Sequence, residues 1–218
     1  MGVLFGDHHS KVDYNLDYLH KTISSPEPRT VMVEIPAVNG SLDLTDRLFG
    51  SDPVFGTREI ELDFEMRSLR EAWISEHSKI MRDLHGRRMH ITLDEDPNFY
   101  WDGRVMVGEI EDHGASAGIH ITAEVFPYKW ARDLELIDML NLLGEETYTF
   151  DVKDPLVQPV FDPGPSEDNI IITYRGQTFI STSVRRTPPG LLFKAGDGQE
   201  MIINGTGQCD IYFRRGCL

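Results

Sequence analysis

Asp94, Asp96 and Asn98 carry oxygen at alternate positions at the head of the stretch LDEDPNFYWDGRV, residues 93–105. Calcium loops present their ligands in this way. With Asp94 as the first position, Asp96 and Asn98 take the third and fifth, as D-x-[DN]-x-[DN] requires. The sixth position needs Gly for a sharp turn and is Phe99. The twelfth needs a bidentate Glu and is Val105. The stretch therefore fails as a calcium loop.

A second chemistry is hydrolytic. Asp94 or Asp96 could oppose Asp102 across a cleft as a glycosidase pair does, and the sequence leaves that alternative open. A turn is the simpler reading. Pro97 presets φ, the neighbouring Asx side chains bond to backbone, and Tyr100, Val105 and Val107 are strand residues. The expectation is a hairpin.

Other chemistry is sparse. The Asp7–His9 run resembles a phosphoesterase metal motif but lacks the further Asp and His clusters of such enzymes, so a flexible N-terminal segment is expected. His90 and His120 fall on the polar faces of their strands without a placed third ligand. Neither G-x-S-x-G, a P-loop nor a dinucleotide fingerprint occurs. Cys209 and Cys217 are too few for a disulfide scaffold or a zinc ribbon, and both are expected to be free thiols. The residues thus point to no catalysis, no metal and no cofactor.

The elements that carry these residues are mostly strands. Residues 30–36, TVMVEIP, are β-rich and close on Pro. Residues 58–66 alternate: Ile60, Leu62, Phe64 and Met66 face one way, and Glu59, Glu61, Asp63 and Glu65 the other. Ser68, with Glu71 at capping-box spacing, opens the one convincing helix. Leu69, Trp73, Ile80, Met81 and Leu84 recur at helical period beside Ile74 and His77, and Gly86 ends it. Trp73 is read as a packing anchor. Strands follow at Met89–Leu93, over YWDGRVMVGEI, and at GIHITAEVFP, with Ile119, Ile121, Ala123 and Val125 on one face.

The segment 131–145 is ambiguous, because Leu134, Ile137, Leu140 and Leu143 suit a helix while an extended linker is equally allowed. From Thr147 short β runs separated by Pro, Gly, Asp and Asn suggest a sandwich or jelly roll.

The chain of 218 residues has room for one large domain or two small ones. Its net charge of −15 repels nucleic acid and acidic membranes. The start has no apolar run of signal-peptide length, the residue pattern after Gly2 does not suit myristoylation, and no segment approaches a membrane span. A soluble chain made in a cytoplasm is the expectation.

Several stretches in order then resemble one family, the distal tail proteins of long-tailed noncontractile phages. They are FGDHHSKVDYNL, EIPAVNGSLDLT, FGTREIELDF, the helix ending in LHG, DEDPNFYWDGRV and FPYKW, within the first 130 residues. Where that family pattern usually has an acidic residue before PYK, Phe126 stands here. The second half matches only loosely.

The resemblance implies a mainly β protein with one α-helix. A β-sandwich or split-barrel-like ring domain would span 1–130, a linker or short helix 131–145, and a small jelly roll akin to galectin-like or carbohydrate-binding modules 146–218. It implies a homohexameric ring at the virion tail tip, joining the tail tube protein to the tail-associated fibre or lysin hub protein. The C-terminal domains would project outward and carry receptor-binding proteins. DNA would only pass through the channel.

Residues 36–56 are rich in Gly, Asp and Pro and so expected to be irregular, yet hold Leu42, Leu44, Leu48, Phe49, Val54 and Phe55. Apolar side chains on such a segment suit docking to a neighbour; a loop folded over its own core is the alternative. The opening hairpin is a second candidate for joining neighbours. Six copies would carry about −90, six times −15, and a negative wall would keep DNA sliding. Glu59, Glu61, Asp63 and Glu65 are the first candidates to face the channel. The rival reading is a carbohydrate-binding module acting through the C-terminal domain, with Tyr174, Phe179, Tyr212 and Phe213 as available aromatics.

Overall fold

The computed structural model describes residues 1–37, 39–49, 53–164, 170–181, 187–188 and 190–218, with only the backbone described at Phe49, Ser181 and Asp197. The chain divides into two compact units, Met1–Pro127 and Tyr128–Leu218.

Unit 1 contains β1 (Val3–Phe5), β2 (His8–His9), α1 (Ser10–Tyr14), β3 (Leu16–Ile23), β4 (Met32–Glu34), β5 (Ser41–Asp43), α2 (Thr45–Phe49) and β6 (Arg58–Met66). A 3-10 turn (Arg70–Ala72) leads into α3 (Trp73–Leu84), then β7 (Arg88–Leu93), β8 (Phe99–Asp112) and β9 (Ala117–Val125). Seven strands form one antiparallel sheet in the order β2-β1-β7-β8-β9-β6-β3.

This sheet is curled. Phe5 on β1 and Phe64 on β6 lie four strands apart, about 19 Å in a flat sheet, yet their ring centroids are 6.3 Å apart. A bulge on β8 between Val107 and Ile110 provides one bend. The inner face carries Ile60, Leu62, Phe64, Met66, Ile119, Ile121, Ala123 and Val125, all buried, as the alternation predicts. Helix α3 joins this core with Trp73, Ile80 and Leu84. Two histidines tie it to β8: His77 Nε2 donates to the Gly108 carbonyl at 2.8 Å, and His85 Nδ1 accepts from Val107 N–H at 3.0 Å.

Several expectations need correction. The N-terminal segment is structured: Val3 and Phe5 are fully buried, and β1 pairs with β7. The opening hairpin thus serves its own sheet. Ser68 and Glu71 form no capping box, because Leu69 is extended and the chain enters the helix through the 3-10 turn. Ser68 Oγ instead donates to Glu76 Oε2 at 2.6 Å, and Trp73 Nε1 to the Ser68 carbonyl at 3.0 Å. Leu69 and Ile74 leave the apolar stripe and are exposed. Gly86 does follow the helix in the left-handed region, φ +73°. Thr92, expected on a polar face, is buried.

Unit 2 contains β10 (Lys129–Ala131), β11 (Glu135–Pro163), β12 (Ile170–Tyr174), β13 (Gln177–Ser181) and β14 (Phe193–Cys217). The segment 131–145 is neither linker nor helix. From Glu135 it is strand, with Leu140 and Leu142 inward at period two and Met139 and Leu143 outward. Its partner is β14, from Phe213 back to Gly205.

The β11–β14 ribbon closes on itself. Val157 pairs with both Phe193 and Arg215, and Phe213 with both Glu135 and Pro159. An antiparallel ribbon rolled until its end meets its beginning is the jelly-roll principle. It encloses a core of Phe150, Phe161, Ile172, Phe193, Ile203, Ile211 and others.

Cys209 and Cys217 are both free, the first buried and the second half-buried. Burial pushes the Cys209 thiol up to about 12, so at pH 8 almost no thiolate exists there. Iodoacetamide at pH 8 should therefore label about one thiol per native chain, at Cys217, and two after denaturation; mass spectrometry checks the count.

Candidate functional site

The carboxylates of residues 93–105 are occupied by structure. Residues 94–98 form the turn between β7 and β8, closed by Asp96 N–H donating to the Leu93 carbonyl at 2.9 Å. Asp94 Oδ1 meets His9 Nε2 at 3.1 Å, Glu95 pairs with Lys21, and Asp102 holds the Arg88 guanidinium through two bonds of 3.0 and 2.7 Å. Trp101 joins the unit 1 core, and Tyr100 is buried with its ring 4.1 Å from that of His90. His90 lies opposite Asp102, whereas His120 bonds Asp63 at 2.7 Å, so the two imidazoles serve different carboxylates. Among the described residues no group of three or more His, Cys, Asp or Glu is placed to hold a metal ion.

The apolar residues of 36–56 belong to an arm. Beyond β3 and β6 the two chains stay together: Ser24 N–H donates to the Glu59 carbonyl at 2.9 Å, Arg29 N–H to Val54 at 2.7 Å, and Pro28 bridges Phe55. Further out β4 pairs with β5 in a two-stranded sheet of its own, followed by α2. The segment is thus regular despite its Gly and Asp, because the β3–β6 ladder runs on into it.

The arm's pairing sorts its side chains. Val33 lies opposite Leu42, so by alternation Ile35 and Leu44 share their face, while Met32, Glu34 and Asp43 take the other. Leu42 is 48% exposed and Leu48 62%, and Val33 and Ile35 are exposed too. Leu44, Val54 and Phe55 are half-buried, and the side chain of Phe49 lies outside the described residues, as do Val38 and 50–52. The alternative of a loop covering its own core does not fit Leu42 or Leu48. Sequence reading missed Val33 and Ile35; their alternation with Met32 and Glu34 was the available signal. A two-stranded ribbon of this kind is marginal alone, and its exposed apolar face is what a partner would cover.

The acidic row of β6 lies on the outer face of the curled sheet. Glu59 is exposed beside Glu124 on β9; Glu61, Asp63 and Glu65 are half-buried. It is partly neutralised, since Asp63 binds His120, and Glu65 accepts from Ser116 Oγ at 2.6 Å and Arg67 Nε at 2.9 Å. Two clefts border the row. One of about 410 Å³ gathers His20, His113, His120, Asp63 and Glu111. The other, about 490 Å³ at the arm's root, holds Arg58, Glu27, Glu59 and Glu124.

The Ser116 hydroxyl, then Arg67, hold the Glu65 carboxyl below its ordinary value near 4.5. A depressed carboxylate adds stability that is present above the unfolded value and lost as pH falls through the folded one. Glu65→Gln should therefore lower the melting temperature at pH 7 and flatten its fall below about pH 4.5. Thermal melts across pH 3–7 check both.

The aromatics available for sugar stacking are mostly used in unit 2's core. Tyr174 and Phe213 are buried and Phe179 packs against the core, which leaves Tyr212 half-buried.

No family model matches the chain, and no curated protein matches its sequence. Among solved structures, the chain is similar to the Dit protein (gp 19.1) of phage SPP1, described as a paradigm of the hub adsorption apparatus in Gram-positive infecting phages. The TM-score is 0.61 at 11% identity, over 100% of this chain and 99% of that one. A chain of the phage p2 baseplate in its activated conformation with Sr matches at TM-score 0.43 and 6% identity, over 98% and 97% of the two chains. The fold of the SPP1 protein, across both units, is the fold found here.

Proposed function

We infer that this chain is a structural protein of a phage tail tip. Its unit 1 copies close a homohexameric ring between the tail tube protein and the fibre or lysin hub protein. Unit 2 projects outward for host attachment, DNA passes through the central channel, and no step is catalytic. The observation that carries this reading is the end-to-end fold likeness to the SPP1 hub protein at so low an identity. The arm adds support, because a ring subunit needs a protruding element to reach its neighbour. Leu42, Leu44, Leu48, Phe49, Val54 and Phe55 are the proposed interface, and Glu59, Glu61, Asp63 and Glu65 the proposed channel wall.

The test is assembly. Mass photometry of the purified chain, alone and with its tube and hub partners, should give a sixfold species. Negative-stain images of that species should show a ring with a central hole. A chain that stays monomeric with both partners present would overturn the reading.

A further inference from the structure

The ring reading leaves open what the arm docks onto; the inference here rests on that reading and identifies the surface. The arm's apolar face holds Val33, Ile35 and Leu42, and its surroundings are acidic, with Glu34 and Asp43 on the reverse face and Asp46 on α2, all exposed. A complementary surface must be apolar at its centre, basic around it and free within its own chain.

One place in unit 1 meets all three conditions. The entry of α3 exposes Leu69 at 79% and Ile74 at 75%, the largest departures of that helix from its own apolar stripe. Both flank Trp73, whose ring lies 5.7 Å under the Arg70 guanidinium. Residues 67–88 hold six of the chain's 21 basic side chains, Arg67, Arg70, Lys79, Arg82, Arg87 and Arg88, against the three acids Glu71, Glu76 and Asp83. In a chain of net charge −15 this is a local positive collar. The other exposed apolar residues of the sheet lack it: Leu19 lines the cleft with Asp63 and Glu111, and Met106 lies on β8.

We propose that the arm of one copy docks its Val33–Ile35–Leu42 face on the Leu69–Ile74 patch of the next copy, steered by the basic collar around that patch. The contact is heterologous, since arm and patch are different surfaces of the same chain. Such contacts propagate head to tail and close into a ring when the rotation per copy allows. Opposite charges at the rim speed encounter and weaken with salt, whereas the apolar centre slows release.

The test is disulfide trapping in the full chain with Cys217→Ser, Cys209 being buried. Leu42→Cys combined with Ile74→Cys should give, on mild oxidation, a non-reducing ladder beyond dimer. Leu42→Cys or Ile74→Cys alone should stop at dimer at most. A second measurement mixes two variants, Leu42→Asp with its arm disabled and Ile74→Asp with its patch disabled. Each alone should be monomeric, and the mixture should stop at heterodimer because one good junction remains.

The absence of both ladder and heterodimer overturns the proposal. If Ile74→Asp assembles as the unaltered chain does while Leu42→Asp does not, the arm joins neighbours at another surface and only the patch is wrong. If both variants assemble normally, the arm is no interface, and its part in the ring reading falls as well.

Discussion

Replacing Gly103 with Ala is expected to cost unit 1 more than about 3 kcal/mol, at or above the upper end of the usual overpacking range. A Cβ at this position would stand 2.4 Å from the Glu124 carbonyl oxygen, 2.5 Å from Val125 Cγ1 and 2.8 Å from Val125 Cα. Two of those three atoms are backbone of the neighbouring strand β9, and Gly103 itself lies opposite Val125 in the ladder. Neither chain can give way without breaking the pairing that positions the inner face of β9. At a few degrees per kcal/mol, the melting temperature should fall by roughly 10 °C or more. Gly56→Ala is the control: its nearest outside atom is the Glu27 carbonyl at 3.6 Å, an ordinary contact. If Gly103→Ala melts with the control, the close approach of β8 and β9 at this point is wrong.

Removing the arm should have the opposite pattern, no loss of fold and complete loss of assembly. The root is already closed by the Arg29–Val54 hydrogen bond and the Pro28–Phe55 bridge, so residues 30–53 can be exchanged for a short Gly-containing turn. The described apolar side chains removed are not members of the unit 1 core. Burial energy scales with apolar area taken from water, and an exposed arm has taken little. The melting temperature should therefore stay within a few degrees, with a small gain from the shorter loop. The sixfold species should vanish at every concentration at which the intact chain forms it. A fall of ten degrees or more would place the arm inside the fold, and unchanged assembly would remove it from the interface.

Both predictions start from the stretch that first suggested metal chemistry and from the loop-like segment before it. In the first, the failed calcium pattern already excluded one function from sequence: a loop without Gly at its sixth position and Glu at its twelfth has lost its turn and its bidentate ligand. The structure adds where the carboxylates went, to His9 and to Arg88. Those partners lie 85 and 14 residues away, beyond any local window.

Some elements were legible because their signal is local. Residues 58–66 form the strand that their alternation predicts, since a period of two is fixed by backbone geometry and one face of the sheet is buried. The body of α3 follows from the recurrence of Trp73, Ile80 and Leu84, and the turn at 94–98 from Pro97 and its Asx neighbours. Net charge and the lack of catalytic motifs also stand in the sequence alone.

What only the tertiary structure decided depended on distant partners. Leu134, Ile137, Leu140 and Leu143 fit a helix by spacing, but the Glu135–Leu143 backbone bonds to β14 some seventy residues later, and that ladder outweighs a weak local preference. Leu69 has helical spacing yet sits outside the helix, because the 3-10 entry rotates it away from the stripe. The arm was visible as apolar residues among turn residues, but its two faces were not. Whether Val33 shares a face with Leu42 or with Asp43 is set by the β4–β5 register. A slip of one residue would exchange the apolar face for the acidic one. Composition determined that this segment was unusual, and strand pairing decided which surface it offers.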